Sequence, residues 1–176
     1  MEREGEHMKR WLVVVDMQND FVTGCLGTKE AQAIVPELVK YVEDFDGKVV
    51  FTQDTHAENY METQEGKKLP VPHCIKGTDG WKLIPELQRL AEGKKIFEKP
   101  TFGSKELAQA IAEDGPEEVV LCGVCTGICV LNNATLVKAF APEIPVKVVG
   151  NLCACVTPDT HKTALAAMQT CQIDVI

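Results

Sequence analysis

The arrangement most suited to chemistry is a cysteine just beyond an apolar run. The stretch Val119-Val120-Leu121-Cys122-Gly123-Val124-Cys125-Thr126-Gly127-Ile128-Cys129-Val130 breaks at Gly123 and turns helical within a few residues. That pattern puts Cys129 at the mouth of a helix, past the carboxyl end of a strand. Unpaired amide N–H groups and the positive end of the helix dipole favour a thiolate there and offer donors to a developing oxyanion. The chemistry on offer is nucleophilic attack by sulfur.

Two further strand ends carry charge. Asp16 closes the run Val13-Val14-Val15, and Lys99 follows Phe97-Glu98 and precedes Pro100. Taken singly, Asp16 reads as a turn former or helix cap, and Lys99 as a solvated surface cation. A cation beside Cys129 and Asp16 would instead hold thiol and carboxylate together and stabilise their charged forms. Asp54-Thr55-His56, with His73 further on, offers a carboxylate and two imidazoles. An extended Asp-x-His turns both side chains to one side, and a third ligand from a later loop would leave open positions on a metal. The alternative is a surface Asp and two unrelated histidines.

The remaining cysteines point elsewhere. Cys122, Cys125 and Cys129 space as C-x2-C-x3-C, the reverse of the order that binds a radical-type iron–sulfur cluster, and no fourth thiol follows closely. Adding Cys153 and Cys155 still gives none of the paired C-x2-C knuckles of structural zinc. A chain this long needs no disulfide staples, so the eight cysteines are expected to be reduced and mostly buried, with Cys122 and Cys171 filling core.

These groups need a scaffold that gathers them. Continuous β-branched runs at Trp11 to Val15, Val49 to Thr52, Lys95 to Phe97, Val119 to Cys122, Val146 to Val149 and Ile173 to Ile176 predict strands buried on both faces, as in a parallel sheet. Between them, Ala31 to Phe45, Leu83 to Ala91, Lys105 to Glu113, Ile128 to Phe140 and Pro158 to Thr170 show helical spacing, and Asp114-Gly115-Pro116 is a stop signal. The alternation predicts an open, doubly wound α/β sheet whose carboxyl edge collects Asp16, Asp54, Lys99 and the Gly123 turn. The segment Thr55 to Lys82 is too long for a routine connection and is expected to form part of a binding site.

Composition narrows the partners. With 176 residues, 45% of them hydrophobic, the chain fits one domain over residues 11–176, and residues 1–10 read as a native extension or tag remnant. A net charge of −8 with scattered basic residues argues against nucleic acid. No apolar run approaches the ~18 residues needed to cross a bilayer, and no signal peptide is evident, so no membrane partner and a cytoplasmic location are expected. The segment Asp16 to Gly27 has no closely spaced glycine triplet for a dinucleotide pyrophosphate.

Taken together, Val13-Val14-Val15-Asp16-Met17-Gln18-Asn19-Asp20-Phe21, Thr52-Gln53-Asp54-Thr55-His56, Pro72-His73-Cys74-Ile75-Lys76-Gly77-Thr78, Lys99 and Gly123 to Val130 resemble the nicotinamidase/isochorismatase-like cysteine hydrolases, from about Trp11 to the C-terminus. The resemblance implies a three-layer α/β/α fold around a six-stranded parallel sheet. It implies Asp16, Lys99 and Cys129 as catalytic triad, the backbone N–H groups of Cys125 and Cys129 as oxyanion hole, and a cis peptide at Val124–Cys125. It further implies Asp54, His56 and His73 as ligands of a divalent metal, zinc first, with iron or manganese as alternatives. The family's usual aromatics are replaced by Thr55 and Pro70, so Phe21 and Phe102 are expected to provide the ring contacts. The implied reaction converts a small carboxamide, nicotinamide first, to its acid through a Cys129 thioester. Another small amide or carbamoyl compound, or a catalytically silent member of the fold, are the rival readings. By analogy the chain is expected to form a homo-oligomer.

Overall fold

The computed structural model describes residues 8–176, so the first seven residues of the expected N-terminal extension lie outside the described residues. Six strands form one parallel sheet in the order β3-β2-β1-β4-β5-β6. They are β1 (Arg10–Val15), β2 (Lys48–Asp54), β3 (Ile96–Lys99), β4 (Glu118–Val124), β5 (Val146–Ala154) and β6 (Asp174–Val175). The helices are α1 (Asn19–Val22), α2 (Lys29–Asp44), α3 (Gln64–Lys68), α4 (Pro85–Ala91), α5 (Lys105–Asp114), α6 (Leu131–Phe140) and α7 (Pro158–Thr170). The predicted three-layer α/β/α architecture is the one observed.

The strand sequences explain the layers. Along β1 successive side chains alternate between faces. Trp11, Val13 and Val15 pack with Leu107 and Ile111 of α5, Ala134 and Val137 of α6 and Met168 of α7. Leu12 and Val14 pack with Leu38 and Val42 of α2 and Leu87 of α4. All five residues from Trp11 to Val15 are buried, which is why the run is continuously apolar rather than alternating.

Several boundaries moved. The strands β2 and β3 extend past their apolar runs to buried charged residues, Asp54 and Lys99, that belong to the site described below, while β4 and β5 run on to Val124 and to Leu152, Cys153 and Ala154, which are buried and apolar. The predicted helix from Ile128 begins instead as a π turn over Thr126–Val130 that leads into α6 at Leu131. Thr55 to Lys82 contains a short 3₁₀ turn (Tyr60–Glu62) and α3, too brief to show periodicity. All eight cysteines are free. Cys122 is buried as expected, whereas Cys171 is exposed at the C-terminal end of α7 and is not core. Among the described residues, no helix is long and apolar enough to cross a membrane.

Candidate active site

The sheet order reverses between β1 and β4, and in open α/β sheets the crevice beyond such a reversal is the usual ligand site. Here β1 and β4 approach closely: Val15 and Gly123 are register partners, and a Cβ at Gly123, whose φ is +116°, would collide with the Val15 carbonyl. Only glycine lets the β4 chain turn there. Val124–Cys125 is a cis peptide, as the resemblance implies. Just past β1, Asp16 takes a left-handed backbone conformation (φ 48°), and Thr52 of β2 donates its hydroxyl proton to Asp16 Oδ1 at 2.6 Å.

The three charged or nucleophilic groups read from separate strands converge. Lys99 Nζ lies 2.6 Å from Asp16 Oδ2, 3.5 Å from Cys129 Sγ and 3.4 Å from Asp54 Oδ1, and it donates to the Thr101 carbonyl at 3.0 Å. Asp16 and Lys99 are fully buried, so Lys99 is not the surface cation of the alternative reading. Burial works against the Lys99 charge, but Asp16, Cys129 and Asp54 outweigh it and raise the ammonium's pKa. Burial raises the pKa of Asp16 against the pull of Lys99. Burial and the Asp16 charge push the Cys129 thiol well up, opposed by Lys99. Apart from its ion pair, Asp16 Oδ2 has no aligned hydrogen bond among the described residues, which leaves it open to a proton.

A second cluster adjoins the first through Asp54. Its Oδ1 faces Lys99, while Oδ2 lies 2.9 Å from His56 Nε2 and 3.5 Å from His73 Nε2. Burial works to raise the Asp54 pKa, but the two imidazole hydrogen bonds and Lys99 hold it well below the usual carboxylate range. Glu65 Oε1 stands 3.7 Å from His56 Nε2 and 3.6 Å from His73 Nε2, and the four donor atoms all lie within 4.8 Å of one another. A tetrahedral ion with bonds of about 2.1 Å needs donors roughly 3.4 Å apart, so the set fits a divalent cation. The hydrogen bond at 2.8 Å between His73 Nδ1 and the Val71 carbonyl leaves Nε2 free to ligate. Tyr60, fully buried, meets both imidazoles edge-on at 4.9 and 5.0 Å.

A cavity of about 340 Å³ opens onto Cys129 and also touches Asp54, Glu65 and His73. Its walls include Phe21, Leu26, Leu69, Phe102, Ile128 and Val156, and among the described residues neither Lys nor Arg lines it. Phe21 and Phe102 are both on the wall; Phe21 lies 5.4 Å from the His73 ring, and Phe102 is 40% exposed at the rim. Thr55 turns away, accepting a hydrogen bond from Trp81 Nε1 at 2.9 Å. Sequence reading missed Glu65 and Tyr60. The only signal for either was its place in an over-long connection between His56 and His73.

The isochorismatase domain family model matches residues 10–176. The chain belongs to the isochorismatase family. An uncharacterized isochorismatase family protein of Bacillus subtilis (strain 168) is 34% identical over 143 residues, covering 72% of this chain and 77% of that protein. The fold matches the pyrazinamidase/nicotinamidase of Streptococcus mutans UA159 with a TM-score of 0.84 at 28% identity, over 96% of this chain and 100% of that one. It also matches the pyrazinamidase of Pyrococcus horikoshii in complex with zinc, with a TM-score of 0.78 at 26% identity over 96% and 98% of the two chains. This isochorismatase-family chain is thus placed among hydrolases acting on carbon–nitrogen bonds.

Proposed function

We propose that this isochorismatase-family hydrolase converts a small, uncharged aromatic carboxamide, nicotinamide first, to the acid and ammonia through a thioester on Cys129. The observation that carries the reading is the buried Lys99 ammonium, 2.6 Å from Asp16 and 3.5 Å from Cys129, a residue that lines an apolar cavity. Asp16 takes the Cys129 proton, and the thiolate attacks the amide carbon. The backbone N–H groups of Cys125 and Cys129 receive the oxyanion. Asp16 returns its proton to the leaving nitrogen, the C–N bond breaks and ammonia departs. Water then loses a proton to Asp16 and adds to the thioester carbon; the C–S bond breaks, the acid leaves and the thiol regains its proton. Lys99 keeps Asp16 oriented and offsets the negative charge that moves between carboxylate and sulfur.

Asp54, His56, His73 and Glu65 would hold a divalent cation, zinc by analogy with the Pyrococcus horikoshii protein. Such an ion supplies a Lewis-acidic anchor for a ring nitrogen. Among the described residues neither Lys nor Arg lines the cavity wall, which favours neutral amides over carbamoyl compounds whose desolvated carboxylate would need a cationic partner there. Ammonia release measured across nicotinamide, pyrazinamide, an N-carbamoyl amino acid and an aliphatic amide tests the reading. The highest kcat/KM is expected for the two ring amides. A carbamoyl compound turned over faster would overturn the substrate, and no release from any amide would leave the silent-member reading.

A further inference from the structure

The turn that carries Cys129 is held at both ends by side chains from two helices. At the far end, Asn133 of α6 donates to the Cys129 carbonyl at 2.8 Å and accepts the Ser104 N–H at 3.0 Å. At the near end, Thr126 opens the π turn with a fully buried side chain. Its Oγ1 is hydrogen-bonded to His161 Nδ1 of α7 at 2.7 Å. Helix and turn are packed without slack, because a Cβ at Gly127 would sit 3.0 Å from Ala164 Cβ of α7. Inside the turn the Cys125 carbonyl accepts both Ile128 N–H at 3.0 Å and Val130 N–H at 3.2 Å.

A π turn has poorer hydrogen-bond geometry than an α-helix and persists where its surroundings hold it. Relaxation to α geometry would rotate the Cys125 and Cys129 amides together, since both belong to the same few residues. The Thr126 side chain is the handle at the Cys125 end, and His161 is what grips it. We propose that His161 is a positioning residue for the hydrolysis: through Thr126 it fixes the π turn that aims the Cys129 sulfur and the two backbone donors. His161 is half-buried and is neither one of the residues lining the cavity nor one of the proposed metal ligands. Burial depresses its pKa, which favours the neutral imidazole, one of whose ring nitrogens can accept a hydroxyl proton.

The inference rests on Cys129 being the nucleophile, and its test separates the two ideas. Nicotinamide turnover is compared for wild type, His161→Ala, His161→Asn, Thr126→Val and the His161→Ala/Thr126→Val double variant, with melting temperatures recorded alongside. A turn displaced by a fraction of an ångström should lower kcat roughly 10- to 100-fold, with KM held within about threefold. Asparagine, which can place a polar atom near the Nδ1 position, should restore most of the loss. The double variant should be no slower than the slower single variant. Wild-type kcat in His161→Ala, or losses that multiply in the double variant, would overturn the proposal, as would a fall in melting temperature with kcat unchanged. Should wild type hydrolyse no amide, the functional reading fails on its own. Iodoacetamide labelling of Cys129, read by mass spectrometry, then decides the positioning role: an altered rate in His161→Ala rescued by Asn supports it, and an unchanged rate refutes it.

Discussion

The two halves of the site are built from different material. Asp16, Lys99 and Cys129 stand at the ends of strands or on the turn leaving one, and the sheet's own register brings them together: Val15 pairs with both Thr52 and Gly123, and Asp54 with Lys99. His56, Glu65 and His73 come from the long connection after β2, tied down by scattered bonds such as Cys74 N–H to Asp20 Oδ2 at 2.8 Å. Asp54 belongs to both halves. The contrast extends to charge, because Asp16 and Asp54 share one ammonium yet titrate in opposite directions. Burial lifts Asp16, while the imidazoles pull Asp54 down. One carboxylate is thereby suited to exchanging protons and the other to staying ionised as a ligand. The rigid half should therefore govern kcat, and the loop half metal retention and KM.

The largest effect should come from the strand half. Cys129→Ala is expected to lower kcat at least ~10³-fold while leaving the melting temperature near that of wild type; retained turnover, or a collapsed melting curve, would shift Cys129 from chemistry to packing. Lys99→Met leaves the Asp16 carboxylate buried without its partner, so activity should vanish and stability drop by about 3–5 kcal/mol in urea unfolding. A stable, active Lys99→Met protein would erase the distinction between the halves. In the loop half, Asp54→Ala should lower bound divalent metal at least ~10-fold by elemental analysis, and Glu65→Gln should weaken metal binding by less, about 10-fold or under. Equal metal content in Asp54→Ala would remove the ligand assignment. The smallest change is expected for Phe102→Ala at the rim, a KM rise of roughly threefold with kcat preserved.

The strand half was legible because its signals are short-range and redundant. A β-branched run ending in Asp16, or breaking at Gly123, marks a strand tip, and strand tips of a parallel sheet share one edge whatever the intervening sequence. The loop half was legible only as far as Asp54-x-His56 and His73. Glu65 rides on a single helical turn, and one turn has no period to read. Tyr60 gave no pattern, since its role as a wall behind two imidazoles exists only once the loop is folded. The π turn was hidden for a related reason. Its sequence reads as the start of α6, and what distinguishes it, the Thr126–His161 and Cys129–Asn133 ties, joins residues 35 and 4 positions apart. Cys171 misled because an apolar neighbourhood in sequence, at the end of an amphipathic helix, still leaves one residue facing outward.

The central claim is that the sulfur of Cys129 becomes covalently acylated. Rapid acid quenching of the enzyme during nicotinamide turnover, followed by peptide mass spectrometry, tests it directly. A nicotinoyl group on the peptide bearing Cys129, absent from the Lys99→Met protein, is the predicted result. Ammonia release with the acyl group on another residue, or continuing undiminished in Cys129→Ala, would contradict the account.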